Sequence, residues 1–356
     1  MNITLTNKNL GKEINGFTQL RVISVRHITS DAVMISFEVP KEIRSLFSFQ
    51  PGQHVELLLF EEDQELRRAY SICSGKNEPL SIAVKALPNG RMSQYLNKHI
   101  KEGDIIAVSE PRGSFILNEQ ARQVVLIGAG SGITPLLSIL KTTVEKSVPV
   151  TLIYGNRTES SIMFRDEIAE LISAKVIQFL SGEKKEGFGT GRINKENITA
   201  LIWKDVAILN ADAFYLCGPQ SMIADVSEAL QTCGVPADKI YFEYFSAPVV
   251  GETSELSEVS TFQGKCRVQA KLEGDKFQFE VSSDGPVLLE AARKAGIDAP
   301  FSCKTGVCGS CRAKVSNGSA IMKANYALSN EDIADGYILT CQAHPNSEEI
   351  SISFDD

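Results

Sequence analysis

Cys303, Cys308 and Cys311 stand in a C-x4-C-x2-C array, and Cys341 lies further along the chain. Four thiolates with this spacing suit a [2Fe–2S] cluster, which needs ligands wrapped around one side of a compact group. Gly306 and Gly309 lie between the first three cysteines. They let the loop turn sharply without a Cβ penalty and bring backbone N–H groups close to sulfur. Zinc ribbons use paired C-x2-C units, so the four-residue gap argues against zinc. Cys73, Cys217, Cys233 and Cys266 have no such spacing and read by default as small packing residues.

A second group of residues suits phosphates and aromatic rings. Arg68-Ala69-Tyr70-Ser71 combines a guanidinium fork for a phosphate with an aromatic face for a ring. Ile82-Ala83-Val84-Lys85 follows, and Gly90-Arg91-Met92-Ser93 opens a helix whose free N–H groups can hold an anion. In Gly128-Ala129-Gly130-Ser131-Gly132-Ile133-Thr134-Pro135 the third glycine comes one residue too early for G-x-G-x-x-G. The mechanism is the same: a tight turn lets a pyrophosphate approach a helix N-terminus, and Pro135 suits its first turn. Cys217-Gly218-Pro219 follows another strand, and Glu243 and Phe245 close that region. Asn156 and Arg157 end the second strand after the glycine turn. An arginine there suits a 2′-phosphate better than ribose hydroxyls, and Arg165 could assist it, which favours NADPH over NADH.

The elements that must position these groups fall into three stretches. From 17 to 118 short alternating runs, such as 20–28, 32–39, 54–60, 80–87 and 104–110, are split by turn residues. They predict an antiparallel β-barrel with one helix at 92–100. From 119 to 246 strands and helices alternate, predicting a parallel α/β sheet covered on both faces, with a looser stretch before the strand at 213–218. Residues 247–261 carry three Glu and no Lys or Arg and read as a linker. From 262 to 356 come a hairpin around Gly274, a short helix between Pro286 and Gly296, and the cysteines. Residues 1–16 read as a loose polar arm.

Composition narrows the function classes. The 356 residues hold 44 acidic and 36 basic side chains, a net charge of −8, and no basic run, so nucleic acid is disfavoured. The first residues lack the apolar core of a signal peptide, and no apolar run reaches the roughly 20 residues of a membrane span. The expected location is the cytoplasm. Residues 262–356 hold 10 Lys and Arg against 13 Asp and Glu, an acidic surface that could steer the module toward a basic partner.

The RAYS, GRMS, GAGSGITP and CGP motifs together resemble the ferredoxin–NADP reductase family, and residues 261–356 resemble plant-type ferredoxins. The resemblance implies FAD in the barrel, with Arg68 on its phosphate, Tyr70 against the isoalloxazine and Ser71 near N5. It implies that Cys217 sits at the nicotinamide, with Ser71 as its catalytic companion, and that the four cysteines hold the cluster in a β-grasp ferredoxin fold. Barrel, nucleotide lobe and ferredoxin, in that order, resemble reductase components of bacterial oxygenases, most of all the branch serving the di-iron phenylacetyl-CoA epoxidase of aerobic phenylacetate catabolism. A di-iron oxygenase is then the expected acceptor. Reductases of ketosteroid hydroxylases, lipid desaturases and ring-hydroxylating dioxygenases share the layout; the phthalate type uses FMN and NADH. A redox sensor without turnover is the reading from a different class, and the intact RAYS and GAGSGITP motifs weigh against it.

Overall fold

The computed structural model describes residues 3–4, 13–14, 16–61, 64–246 and 262–355. They form two compact units, Met1–Tyr244 and Phe245–Asp356. The linker expected at 247–261 lies outside the described residues.

The first unit opens with an antiparallel sheet. His54–Glu61 pairs with Gln64–Ser71 on one side and Ile105–Val108 on the other; Phe17–Thr29, Ala32–Glu38 and Ser81–Lys85 complete the path. An Ile72–Ile82 bridge and a 2.9 Å hydrogen bond from Cys73 N to Ser81 O join the ends of that path, closing the expected barrel. Val22, Ile35, Val55, Leu57 and Ile82 fill its interior without solvent exposure. Ile3–Thr4 and Glu13–Ile14 pair with barrel strands, so those parts of the arm expected to be loose are structured.

The same unit continues into a six-stranded parallel sheet. Its order is Gly189–Thr190, Lys175–Leu180, Val150–Asn156, Val124–Ala129, Ala213–Cys217, Ile240–Glu243. Every residue of Val150–Asn156 is buried, as a strand covered on both faces requires. The stretch read as loose contains a helix, Lys195–Lys204, that seats Ile198 and Ile202 under the sheet. Its start is fixed by Asn194, whose side chain accepts from Asn197 N at 2.9 Å.

In the second unit Lys265–Leu272 and Asp275–Ser282 form the predicted hairpin, with Glu273 and Gly274 both at positive φ in its turn. Burial alternates along the first strand: Cys266, Val268 and Ala270 are inside, Arg267, Gln269 and Lys271 outside. Glu349–Ser353 lies parallel to that strand and continues into Arg312–Asn317 and Tyr337–Leu339. The helix Leu288–Lys294 packs four residues into this core and stops before Gly296, whose φ of +83° ends it. This is the expected β-grasp arrangement. Among the described residues no helix is long and apolar enough to cross a membrane.

Candidate functional site

The parallel sheet reverses direction of growth at Val124–Ala129, with one neighbour added on each side. Ligands bind at the carboxyl ends of strands at such a switch point. The two sequence motifs meet there. A Cβ on Gly132 would stand 2.0 Å from Cys217 O and 2.9 Å from Gly218 N, and one on Gly128 would stand 3.3 Å from Cys217 O. The loops touch backbone to backbone, which only glycine allows. Gly130 has a φ of +54°, and nothing lies within 4 Å of where its Cβ would be, so a cradle stays open above it. Tyr154 donates to Gly130 O at 2.9 Å and Thr134 Oγ1 to Ser131 O at 3.0 Å, fixing the turn that leads into the helix Ile133–Glu145 with Pro135 in its first turn. Gly218 packs against Ala129 N and Met222, and Pro219 caps the helix Gln220–Thr232. The open cradle fits a pyrophosphate at a helix start.

Asn156 is buried at the adjoining strand end, and its Nδ2 has no hydrogen-bond partner. Arg157 is exposed next to it. Arg165 is engaged rather than free: it pairs with Glu159 at 2.6 Å, and Lys185 pairs with the same carboxylate.

On the barrel, Ser71 lies opposite His54, Tyr70 opposite Val55 and Arg68 opposite Leu57. Tyr70 packs partly buried against the barrel core, and burial keeps its phenol protonated far above the ordinary range. Arg68 is exposed and spends one N–H on Arg67 O at 2.7 Å, leaving the rest of its fork available. Val84 is buried; Lys85 pairs with Asp31 at 3.5 Å. Met92 is core, and Ser93 Oγ accepts from Leu87 N at 3.1 Å and donates to Gly90 O at 3.0 Å, closing the turn that starts the helix Arg91–Lys98.

The barrel and the parallel sheet touch at one polar pair of particular chemistry. Ser71 Oγ donates to Glu243 Oε2 at 3.2 Å, across 172 residues of sequence. Burial pushes the Glu243 carboxyl up to about 8, and the Ser71 hydrogen bond only partly offsets it. Cys217 is fully buried beside it, its thiol raised well above the usual range by burial first and by Glu243 second. Phe245 lies beyond the strand end, 45% exposed, in the second unit.

Four of the cysteines of the second unit form two contacting pairs, Cys303 with Cys308 and Cys311 with Cys341. Cys303 is lowered to about 4, first by Cys308, then by hydrogen bonds around Thr305, whose N lies 3.3 Å from its sulfur. In the other pair the same contact lowers Cys341 and, with burial, raises Cys311 well above the ordinary thiol range. Cys303 N and Ser310 Oγ reach Cys308 Sγ at 3.5 and 3.0 Å. Gly306 and Gly309, at φ of +80° and +73°, supply the expected turns. Lys304 is also left-handed, at +57°, a position with no marker in the sequence. Among the described residues no three His, Cys, Asp or Glu converge to hold one metal ion. Two thiol pairs instead supply the four sulfur ligands that a binuclear cluster would need.

Known proteins bear out this division. The oxidoreductase FAD-binding domain matches residues 19–116, the oxidoreductase NAD-binding domain 126–228 and the 2Fe-2S iron-sulfur cluster binding domain 270–346. A 1,2-phenylacetyl-CoA epoxidase subunit from Escherichia coli (strain K12) is 36% identical over 351 residues, 95% of this chain and 98% of that one. The chain belongs to the flavin and iron–sulfur reductases of multicomponent oxygenases. The ferredoxin reductase component of 3-ketosteroid-9-alpha-monooxygenase from Rhodococcus rhodochrous is 30% identical, over 94% of this reductase and 96% of its own length. Phthalate dioxygenase reductase, described as a modular structure for electron transfer from pyridine nucleotides to [2Fe-2S], superposes with a TM-score of 0.61 at 25% identity, over 96% of this chain and 98% of that one. The reductase therefore carries FAD, a pyridine nucleotide and a [2Fe–2S] cluster and passes electrons to an oxygenase. Sequence reasoning missed Glu159 and Lys185, which show there only as two more surface charges.

Proposed function

We propose that the reductase draws electrons from NADPH and delivers them to a di-iron oxygenase that epoxidises phenylacetyl-CoA. The observation that carries the acceptor is the 36% identity to the epoxidase polypeptide across 98% of its length. Domain boundaries at 118/119 and 246/262 accommodate all three family matches. Eight cysteines without a disulfide support a reducing, cytoplasmic setting.

Bound FAD would accept an electron pair from the nicotinamide and release it singly to the cluster. The chain's own part is to bind, orient and hold protons. Arg68 would grip the flavin phosphate with its free N–H groups, and the ring of Tyr70 would face the isoalloxazine. Val84, Lys85 and the Gly90–Ser93 turn would line the rest of that site. Gly128, Gly130, Gly132, Thr134 and Pro135 would cradle the nucleotide pyrophosphate, and Cys217, Gly218 and Pro219 would floor the nicotinamide. Ser71 and Glu243 form a relay that can hold a proton at Ser71 Oγ next to the reacting ring, with Phe245 nearby in sequence. Cys303, Cys308, Cys311 and Cys341 would ligate the cluster.

Two expected results test these roles. Flavin reduction by NADPH should titrate near pH 8 as Glu243 ionises, and Glu243→Gln should remove that inflection while Ser71→Ala slows reduction roughly tenfold. The raised carboxyl also ties stability to pH: its contribution is complete below about 4.5, erodes as pH rises and is gone above about 8, so Glu243→Gln should flatten that slope in denaturant titrations. An unchanged inflection in the variant would remove Glu243 from the relay. For the cofactor, Arg157→Ala should raise KM for NADPH roughly 10- to 100-fold and leave KM for NADH alone, and a variant that kept its preference would exclude Arg157. Turnover stimulated by the phenylacetyl-CoA epoxidase oxygenase, and not by a ketosteroid oxygenase, tests the acceptor.

A further inference from the structure

Three segments converge beyond the strand ends at 156 and 180. Arg157 O accepts from Gly182 N at 2.7 Å, tying the first strand's exit to the second. Glu159 then opens a short turn closed by Thr158 and Ser161, with Thr158 N donating to Ser161 Oγ at 3.1 Å. Its own backbone N donates to Glu183 Oε1 at 2.7 Å, so the residue is seated at both ends of the turn. Buried Phe164, in a left-handed conformation, presents Arg165 from the far side. The Glu159 carboxylate takes Arg165 at 2.6 Å on one oxygen and Lys185 on the other. Its side chain is 19% exposed, while Arg165 and Lys185 are 55% and 47% exposed, so both cations face solvent beyond it.

We propose that Glu159 occupies, in the free reductase, the place that the cofactor's 2′-phosphate takes on binding, and so sets how sharply NADPH is chosen over NADH. The proposal rests on the NADPH reading above and adds to it the residue against which the phosphate must compete. Arg165 and Lys185 are two cations held ready on one anion. NADPH brings a second anion that can exchange for the first, releasing a carboxylate into water and gaining the same two partners. NADH brings no anion and leaves both ion pairs intact. Glu159 thus penalises NADPH alone. It narrows a preference that Arg157, Arg165 and Lys185 would otherwise widen.

The test is calorimetric binding of 2′,5′-ADP and 5′-AMP to the purified holoenzyme, with KM and kcat for NADPH and NADH alongside. Glu159→Gln should bind 2′,5′-ADP roughly three- to tenfold more tightly, the effect of freeing two exposed pairs. Its 5′-AMP affinity and kcat should stay put, the salt dependence should steepen, and Glu159→Asp should return wild-type values. Lys185→Ala should weaken 2′,5′-ADP and spare 5′-AMP, a result available even if the Glu159 variant is unstable. Unchanged 2′,5′-ADP affinity in Glu159→Gln, or equal weakening of both probes with a lower Tm, would overturn the proposal and leave Glu159 as a turn-stapling residue. A wild-type protein that binds both probes equally would instead overturn the NADPH reading, and this proposal with it.

Discussion

Cys308→Ala is expected to lose the visible and EPR signals of the [2Fe–2S] cluster and to bring oxygenase-coupled turnover to background. NADPH-driven ferricyanide reduction, which draws on the flavin, should persist at close to the wild-type rate. The expectation follows from how the thiols are arranged. They form two pairs, and Cys308 is the partner that lowers Cys303 to about 4. Removing Cys308 would take away one of the four proposed ligands and the thiol that contacts Cys303. Ser310 Oγ, 3.0 Å from the Cys308 sulfur, loses its acceptor as well. Affinity for a metal group depends on deprotonated ligands and on the donors behind them, so both changes act in one direction. The flavin side should be spared because the cysteines belong to the compact unit Phe245–Asp356 and the barrel and nucleotide sheet to Met1–Tyr244. An intact cluster spectrum in the variant would mean that the ligand set is wrong.

Gly132→Ala should act on the other unit and with comparable force. Its Cβ would be 2.0 Å from Cys217 O and 2.4 Å from Cys217 C, both backbone atoms that no rotamer change can move aside. The switch-point loops would have to part. Overpacking of this kind costs about 1–3 kcal/mol, which in a unit of this size lowers Tm by about 2–4 °C per kcal/mol. The functional effect should exceed the stability effect. Moving the Cys217–Pro219 turn relative to the glycine cradle misplaces the nicotinamide against the flavin, and a displacement of about 1 Å can cost about 10²-fold in rate. Stopped-flow flavin reduction by NADPH should therefore slow by about two orders of magnitude, with the cluster's EPR signal after dithionite reduction unchanged. A variant with wild-type flavin reduction would show that the two loops do not jointly set the nicotinamide's position.

Much of this architecture is legible in the chain because its chemistry is local. The cysteine array, the glycine turn and the hairpin at Glu273–Gly274 are each fixed within a dozen residues, and spacing alone exposes them. The helix Lys195–Lys204 is not, because exposed Trp203 extends its apolar residues beyond the face on which Ile198 and Ile202 pack against the sheet, blurring the helical pattern. The pairing of residues 3–4 and 13–14 with barrel strands is hidden for a related reason: an edge strand of two residues has no periodicity to read. The site itself divides the same way. Arg68, Tyr70 and Ser71 announce themselves as a motif, and Glu243 is a candidate in the sequence too, but its hydrogen bond to Ser71 shows only in the fold. Glu159 is invisible as a functional residue until Arg165 and Lys185 are seen closing on it from two separate segments.

The central claim is that one chain carries electrons from a pyridine nucleotide through flavin to its own cluster and on to an oxygenase. Anaerobic rapid mixing of the holoenzyme with NADPH, with the flavin followed by absorbance and the cluster by freeze-quench EPR, tests it most directly. The account predicts that the flavin band bleaches first and that the reduced-cluster signal follows at a rate no slower than oxygenase-coupled turnover. A flavin that becomes fully reduced while the cluster stays oxidised, or fills more slowly than turnover, would contradict it.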